Sequence, residues 1–372
     1  MNKLLLSGYF GFNNMGDEAI LKGLIDGILR EVEDPDIVVL SSNPEFTLEK
    51  YADYPVRAIN RMDLVKIGRE MKTADLFVSG GGSLLQDVTS SRSLLYYLGL
   101  LSLAKTVYKK KTMIYSQGIG PVNKEANKNW VRRILNKVDL INVRDKNSKK
   151  TLEDIGITRD ILVTADTVLG MTPPSKEGGK KLLSEMGAVE GRTNLAISLR
   201  TWKDKDAHIE KEISFLIEKL LETGEYNIFL LPFHFNEDMK LISKIHANLG
   251  EKKKDVYVIT QDLYVDDYLS FMGNMDIVVA MRLHGLIFST LMGAVPIGIS
   301  YDPKVDSFLQ EIRSEDIVSV QTFASQDLYD MIRQKRETLS EEKERISIQA
   351  QALREVADVS NRRLKELLMK QV

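Results

Sequence analysis

The chain has 372 residues, of which 43% are hydrophobic, and a formal net charge of −2. This length exceeds what one hydrophobic core supports, so we expect two domains, and near-neutrality argues against a nucleic-acid partner. The absence of cysteine excludes disulfides, thiolate nucleophiles and zinc–sulfur sites. Three leucines near the N-terminus are too few for a signal peptide, and no segment reaches about 20 apolar residues, so we expect a cytoplasmic protein.

In the first half of the chain, short apolar runs alternate with stretches of helical spacing. This alternation is typical of parallel α/β sheets. The predicted strands of this half are 3–7, 36–41, 75–79, 112–117, 140–144 and 161–165.

The segment MTPPSKEGGKK, residues 171–181, has the proline, glycine and charge content of a linker. Beyond it the alternation restarts, with predicted strands 195–199, 227–231, 256–259, 277–280 and 295–299. We therefore predict two Rossmann-like doubly wound domains whose strand ends face one cleft. The N-terminal domain is 1–172, the C-terminal domain is 173–337, and a C-terminal helix occupies 338–372.

This last helix has one apolar stripe at roughly 3.6-residue spacing. The spacing of Thr338 and Glu341 is that of a capping box. We expect the stripe to pack across the two domains, and a coiled-coil dimer is the rival interpretation. The stripe consists of Ile346, Ala350, Leu353, Ala357, Leu364 and Leu368.

The first predicted strand leads into SGYFGFNNMGDEAIL, where a helix begins near Gly16. Free N–H groups at a helix N-terminus favour anions or hydroxyl-rich ligands. Asp17 and Glu18 would repel a phosphate there, but a carboxylate can bind sugar hydroxyls or act as a base. The alternative is that Asp17 only complements the helix dipole. The glycine spacing differs from G-x-G-x-x-G, which argues against a dehydrogenase.

Further glycine-rich or polar segments follow other strands of the first domain. SGGGSLLQD carries Gly81, Gly82 and Ser83, and SQGIGP carries Gln117; VRD and TAD follow two later strands. Each is a weak signal alone, since structural loops also use such residues. Together they predict a polar rim around the carboxyl edge of one sheet.

In the second domain, cationic and titratable side chains stand at the strand ends: Arg200 in ISLRTW, His234 in LLPFHFNED, and Arg282 with His284 in AMRLHG. Arginine binds carboxylate and phosphate as a bidentate fork, and histidine exchanges a proton near neutral pH. We interpret this rim as a receptor for a small ligand with two anionic groups. The alternative is structural ion pairs. We predict no metal site, because no H-E-x-x-H or dense Asp/Glu/His cluster occurs.

The segments GYFGFNNMGDEAIL, SGGGSLLQD, SQGIGP, VRDKNS, TADTV, SLR and MRLHGLIFS together resemble the polysaccharide pyruvyl transferase family. The similarity extends from the first strand to about Lys304 and is nearest to the bacterial ketal-pyruvyl transferases of the S-layer anchoring system. It implies two Rossmann-like domains in a GT-B-like arrangement. It also implies phosphoenolpyruvate as a co-substrate, with no cofactor.

By this resemblance, certain positions are assigned to the two substrates. The phosphoenolpyruvate residues are Arg200, Arg282, Leu283 (through its backbone) and His284. We add His234 to this set because of its position at a strand end, not because of the resemblance. The acceptor residues are Asn14, Gly16, Asp17, Gly81, Gly82, Ser83 and Gln117. We expect His284 to be the catalytic acid and Asp17 the base.

The implied acceptor is a lipid-diphosphate-linked disaccharide precursor of a secondary cell-wall polymer, whose N-acetylmannosamine becomes 4,6-ketal pyruvylated. Such an acceptor predicts peripheral contact with the inner membrane surface, and residues 93–111 form an apolar helix with a basic end. A buried helix of the first domain is the favoured interpretation of that segment.

Two other functions fit parts of the sequence. A nucleotide-sugar glycosyltransferase of the same architecture would need a carboxylate for the nucleoside, for which Asp302 and Asp306 are candidates. A non-catalytic protein that binds cell-wall precursors would explain the rims but not the acid beside the arginines.

Overall fold

The computed structural model describes residues 2–88, 90–261 and 263–370. The chain divides into two compact units. The first unit comprises Met1–Met171 with Leu353–Val372, and the second comprises Thr172–Ala352. The long C-terminal helix therefore begins in the second unit and ends in the first.

The first unit is built on a parallel sheet of seven strands in the order β3-β2-β1-β4-β5-β6-β7. The chain turns outward in both directions from the β1–β4 pair, which is the Rossmann topology. Its strands are β1 (Asn2–Ser7), β2 (Pro35–Ser41), β3 (Val56–Asn60), β4 (Leu76–Gly80), β5 (Lys111–Gln117), β6 (Leu140–Val143) and β7 (Ile161–Val163). Its helices are α1 (Met15–Glu31), α2 (Pro44–Lys50), α3 (Leu64–Thr73), α4 (Ser91–Ser102), α5 (Glu125–Leu135) and α6 (Lys146–Ile155).

The second unit repeats this topology in a six-stranded sheet with the order β10-β9-β8-β11-β12-β13. Its strands are β8 (Thr193–Ser198), β9 (Tyr226–Leu230), β10 (Val256–Val258), β11 (Ile277–Ala280), β12 (Val295–Ser300) and β13 (Ile317–Ser319). Its helices are α7 (Glu177–Met186), α8 (Asp206–Thr223), α9 (Phe235–Asn248), α10 (Val265–Met272), α11 (Leu283–Met292), α12 (Pro303–Glu311) and α13 (Ser325–Glu337), followed by α14 (Leu339–Met369). The predicted class of two parallel α/β sheets is confirmed.

The central strands are buried on both faces, as parallel sheets covered by helices require. Leu4, Leu5 and Leu6 in β1 are fully buried although they alternate in direction. The edge strands β3 and β13 are half-exposed and mixed in composition, and the sequence pattern missed both. The other two edge strands, β7 (ILV) and β10 (VYV), are also partly exposed but were predicted from their apolar sequences. An edge strand is therefore missed where its apolar run is short or interrupted.

Helix α4 (Ser91–Ser102) covers the first part of the stretch 93–111 and belongs to the core of the first unit. Leu94, Tyr97, Leu98 and Leu101 are buried, and only Leu95 among its apolar residues is exposed. The interpretation of this segment as a core helix is therefore confirmed. No helix in the described part of the chain combines the length and the apolar character needed to cross a bilayer.

The apolar stripe of α14 is covered by the chain itself. Ile346, Leu353, Ala357, Leu364 and Leu368 are all buried. Polar anchors flank the stripe: in the second unit, Lys343 pairs with Asp276 at 2.5 Å, and in the first, Arg30 pairs with Asp358 at 2.9 Å.

The predicted capping box at the start of α14 is wrong. The Thr338 hydroxyl donates to the carbonyl of Gln334 at 3.3 Å, four residues back, because Thr338 ends helix α13. Its hydroxyl is therefore oriented toward the preceding helix, not toward the first turn of α14.

Replacing Leu364 with alanine tests the contribution of α14 to the first unit. Leu364 is 1% exposed, so we expect a loss of about 2–5 kcal/mol of stability from transfer and cavity terms. The exposed Val356→Ala on the same helix is the control, with an expected change under about 1 kcal/mol. Hydrogen exchange of first-unit amides measures both. An equal effect of the two variants would contradict a packed stripe.

Candidate active site

In the second unit, the predicted donor residues gather at the carboxyl edge of the sheet. Strands β9, β8, β11 and β12 are consecutive neighbours, so the segments that follow them meet at one edge. His234 follows β9, Arg200 follows β8, and Arg282 with His284 follows β11. Tyr301, which the sequence analysis did not select, directly follows β12.

Arg282 is held by a buried carboxylate. Its Nε donates to Oδ2 of Asp238 at 3.1 Å, and its Nη2 contacts Oδ1 of the same residue. Asp238 is fully buried and also accepts the backbone N–H groups of Phe233 and His234 at 3.0 and 2.9 Å. Arg282 is thus in the structural ion pair left open as an alternative, and its Nη1 has no hydrogen-bond partner among the described residues.

Arg200 has a different environment. Its Nη1 donates to the Tyr301 hydroxyl at 3.1 Å, and its guanidinium lies 4.9 Å from the Tyr301 ring centre and 5.6 Å from that of Trp202. No carboxylate of the described residues forms an ion pair with it. Arg200 therefore presents a half-buried cation, positioned by aromatic rings, that an external anion can neutralise.

Helix α11 begins at this edge, directly after Arg282. Its first-turn N–H groups, including those of Leu283 and His284, have no acceptor within the helix and can bind an anion. The helix approaches β11 closely because residue 285 is glycine: an added Cβ would lie 2.9 Å from the Cβ of Ala280. His284 is half-buried, with its ring centre 6.4 Å from that of Phe288.

His234 shares this edge through its backbone bond to Asp238. Its ring nitrogen Nδ1 is buried and has no hydrogen-bond partner among the described residues. The hydroxyl of Ser198, at the end of β8, is in the same condition. Unsatisfied buried polar atoms are uncommon in native proteins, so their presence at one strand edge favours a polar ligand there.

In the first unit, the loops after β1 and β4 meet. Gly81 has φ of +55°, and an added Cβ would lie 1.8 Å from Cγ2 of Ile20, so only glycine fits. An added Cβ on Gly82 would lie 3.0 Å from Oδ1 of Asp17. The backbone of the triple-glycine loop therefore passes directly beside the Asp17 carboxylate.

Three other predicted acceptor residues have structural partners. The Asn14 side chain caps α1 by accepting the N–H of Gly16 at 3.2 Å, and Gly16 itself is buried. Gln117 is fully buried, with Nε2 donating to Ser79 at 3.4 Å. The half-exposed members of the predicted acceptor set include Asp17 and Ser83.

Ser83 is contacted by a buried ion pair that the sequence analysis did not select. Arg144, 5% exposed, donates from Nη1 to Asp166 at 2.8 Å and from Nη2 to the Ser83 hydroxyl at 3.3 Å. Asp145 lies 3.6 Å from its Nε. The sequence signal that could have predicted this ion pair is the VRD and TAD segments, which follow the paired strands β6 and β7. Arg144 therefore orients Ser83 at the rim.

The polysaccharide pyruvyl transferase family model matches residues 14–303, more than three quarters of the chain. The chain belongs to this family. It is also 24% identical to the amylovoran biosynthesis protein AmsJ of Erwinia amylovora, over 85% of this chain and 88% of that protein. This pyruvyl transferase family member is therefore a transferase, and its relative is named for amylovoran biosynthesis.

Solved structures resemble this pyruvyl transferase over its full length at low identity. A UDP-GlcNAc 2-epimerase from Neisseria meningitidis matches with a TM-score of 0.65 and 13% identity, covering 100% of both chains. A glycosyltransferase from Rickettsia africae matches with a TM-score of 0.67 and 12% identity, also covering 100% of both. These likenesses show the fold alone, and they confirm the predicted GT-B-like class.

Glu18 is a further acidic residue of this pyruvyl transferase's first unit, 6% exposed. Its Oε1 accepts the N–H of Gly11 at 2.9 Å, and its Oε2 has no hydrogen-bond partner among the described residues. Burial raises the pKa of Glu18 from 4.5 to about 7, and the neighbouring Asp17 adds to the effect. The carboxyl group binds the loop after β1 through Gly11, and burial makes its protonated form the more stable one.

The raised pKa of Glu18 predicts that stability declines as pH rises. Below pH 4.5 the group is protonated in both states; above it the unfolded chain ionises first, and the loss is complete once pH exceeds about 7. The full loss is about 3 kcal/mol, at roughly 1.4 kcal/mol per unit of pKa. Urea unfolding at pH 5 and pH 8 should show a smaller decline for Glu18→Gln than for the wild type. Exposed Glu33→Gln is the control, and equal declines in all three proteins would contradict this assignment.

Proposed function

We propose that this protein transfers the pyruvyl group of phosphoenolpyruvate to two hydroxyl groups of a sugar, forming a cyclic ketal and releasing phosphate. The observation that carries the proposal is Arg200, a cation without a carboxylate partner in the described residues, beside a helix N-terminus and His284. This edge suits a small ligand with two anionic groups, and family membership supports pyruvyl transfer.

The donor is proposed to bind with its phosphate and carboxylate shared between the two arginines. Arg200 offers its guanidinium, and Arg282 offers Nη1, the nitrogen that Asp238 does not engage. Backbone N–H groups of Leu283 and His284 add donors for the same anion. His234 is proposed to contribute its buried Nδ1 to the donor pocket.

The proposed chemistry starts with a proton moving from His284 to the methylene carbon of phosphoenolpyruvate. The central carbon gains oxocarbenium character, and the first sugar hydroxyl adds to it while giving its proton to a base. The bond between this carbon and the phosphate oxygen then breaks, with phosphate as leaving group. The second hydroxyl adds, losing its proton, and closes the six-membered ring.

The acceptor is proposed to bind at the first unit. Asp17 beside Gly82 is placed to accept a hydroxyl proton, and Ser83, held by Arg144, to orient the sugar. Asn14, Gly16, Gly81 and Gln117 shape this rim through the cap of α1 and the strand ends. An edge with half-exposed carboxylate suits neutral hydroxyls better than a phosphate.

For the acceptor's identity, we propose a lipid-diphosphate-linked disaccharide whose N-acetylmannosamine receives the 4,6-ketal. The product would be a precursor of a secondary cell-wall polymer that anchors S-layer proteins. The support is the motif resemblance to the S-layer ketal-pyruvyl transferases. We further propose that the enzyme acts in the cytoplasm, at the inner membrane face, without a cofactor.

The two carboxylates considered for a nucleotide-sugar glycosyltransferase have local partners. Asp302 caps α12 by accepting the N–H of Lys304 at 3.1 Å, and Asp306 accepts the Ser300 hydroxyl at 2.6 Å. Both therefore have a role in the turn after β12, which weakens their assignment to a nucleoside.

The reaction class is tested by incubating the enzyme with phosphoenolpyruvate and a synthetic lipid-linked disaccharide. We expect phosphate release coupled to a product mass gain of one pyruvyl ketal, with carbon NMR locating the ring at the 4- and 6-hydroxyls. Sugar nucleotides with the same acceptor are the control donors. Nucleotide release, or acceptor binding without turnover with either donor, would reject the proposal in favour of the glycosyltransferase or the binding protein.

The role of His284 is tested by His284→Ala. As the proton donor, it should contribute about 10²–10⁴-fold to kcat, the usual range for a general acid. His246→Ala is the control, since His246 lies on α9 and the hydrogen bond that its ring makes among the described residues is with the Lys253 carbonyl, at 3.0 Å. A variant that keeps more than about a tenth of the activity would remove His284 from this role.

A further inference from the structure

The first unit carries a compact group of exposed aliphatic side chains, here called the apolar patch: Met62, Leu64, Val65 and Leu95. Met62, Leu64 and Val65 are 69%, 66% and 65% exposed, and Leu95 is 45% exposed. Large apolar side chains at this exposure gain less free energy from folding than core residues do, because much of their apolar surface stays in water. Met62, Leu64 and Val65 lie within four consecutive positions, and Leu95 lies on α4, to which this turn is hydrogen-bonded. This grouping favours an interaction surface.

The chain holds this patch in a fixed geometry. Asp63 caps α3 by accepting the N–H of Lys66 at 3.0 Å, which places Leu64 and Val65 in the first helical turn. The Tyr96 hydroxyl donates to the carbonyl of Arg61 at 2.6 Å. The turn that carries Met62 is thereby attached to α4, where Leu95 precedes Tyr96.

Basic residues surround the patch. Lys66 and Arg69 lie on the exposed side of α3, and Arg92 lies one turn from Leu95 on the exposed side of α4. Asp63 is the acidic residue between Met62 and Leu64, and its carboxylate lies 3.6 Å from the Lys66 ammonium group. Glu70, farther along α3, is already paired with Lys3 and Arg57. The local charge is therefore positive, in a chain whose net charge is −2.

Arg61 connects the patch to the acceptor edge. Its guanidinium lies 4.4 Å from the ring centre of Tyr96 and 5.2 Å from that of Phe12, and it donates to the Tyr97 hydroxyl at 3.2 Å. Tyr97 in turn donates to the carbonyl of Gly8, in the loop that leads to Asp17. Arg61 follows β3 directly, so the patch stands at the same carboxyl edge as the proposed acceptor rim.

We propose that the apolar patch is a membrane-docking surface that inserts into the interface of an anionic lipid bilayer. The inference rests on the proposed lipid-linked acceptor. Insertion of the four aliphatic side chains places Lys66, Arg69 and Arg92 at the level of the anionic headgroups. The sugar of the acceptor then lies at the Asp17 rim while its lipid stays in the bilayer, and Arg61 stands between them.

A bilayer fits this surface better than a second protein does. A stable protein interface uses about 20–30 residues on each side, far more than four aliphatic side chains and their basic neighbours. Exposed aliphatic residues next to lysine and arginine match the two signals of peripheral membrane binding, apolar insertion and attraction to anionic lipid.

Co-sedimentation of the full-length enzyme with vesicles tests the proposal. We expect binding to phosphatidylglycerol/phosphatidylcholine vesicles and at least tenfold weaker binding to phosphatidylcholine alone. The variant M62S/L64S/V65S should reduce partitioning into the anionic vesicles at least tenfold. The control V189S/F215S/I348S removes three side chains of 46%, 49% and 59% exposure elsewhere and should bind as the wild type does.

Charge is tested separately with K66E/R69E/R92E, which should weaken vesicle binding at least tenfold, and with added salt, which should weaken it for the wild type. Absence of wild-type binding to anionic vesicles would overturn the proposal, as would equal binding by wild type and M62S/L64S/V65S. Sedimentation velocity tests the other possible occupant, a second copy of the chain. If the wild type is a dimer, M62S/L64S/V65S is a monomer and neither binds vesicles, the patch is a dimer interface.

Vesicle binding requires no turnover, so this proposal and the proposed reaction fail in different ways. A docking-deficient variant should retain kcat on a water-soluble disaccharide while its KM for the acceptor in vesicles rises at least tenfold. If the wild type binds vesicles but transfers no pyruvyl group, the reaction is rejected and the docking surface stands. If the wild type transfers pyruvyl groups but does not bind vesicles, the docking surface is rejected and the reaction stands.

Discussion

The rest of the structure depends on the place where each sheet reverses its strand order. Beside β1 and β4 in the first unit, and beside β8 and β11 in the second, neighbouring helices leave in opposite directions, so the loops at their carboxyl ends have room for a ligand. Asp17 and the triple-glycine loop occupy this position in the first unit. Arg200 and the Arg282–His284 turn occupy it in the second. Topology thus brings together residues that lie about 65 positions apart in the first unit and about 80 in the second.

Buried ion pairs hold both edges. Desolvation makes a lone buried charge costly, and a buried pair adds little net stability, so its value lies in the geometry it imposes. The Asp238 carboxylate accepts two backbone N–H groups and Arg282, and in this way joins the segments after β9 and β11. Arg144 and Asp166 join those after β6 and β7 and orient Ser83. The hydrogen bonds that hold each edge are all made within the chain.

The sequence predicted the central strands and the edge positions of Arg200, Arg282 and His284, because apolar runs and strand-end residues are local signals. It could not predict which side chains pair across neighbouring strands. Asp238 sits one helical turn after His234, and its role is decided by Arg282, 44 positions later. Gln117 looked like a rim residue by its position, yet the strand turns it inward to Ser79. Half-exposed β3 lacks an apolar run, so the sequence analysis missed this strand. For the same reason it did not select Arg61, which follows the strand.

The two edges differ in charge, and this difference limits which substrate each can bind. In the second unit, Asp238 compensates Arg282 while Arg200 has aromatic neighbours, so one positive charge remains for an anion. In the first unit, the arginine at the rim, Arg144, is compensated by Asp166, while Asp17 adds negative charge near buried Glu18. An anionic donor at the rim of the first unit would raise the electrostatic free energy of both carboxylates, Asp17 and Glu18. Neutral hydroxyl groups carry no such penalty, which supports the proposed placement of the acceptor at the first unit and of the acid phosphate at the second.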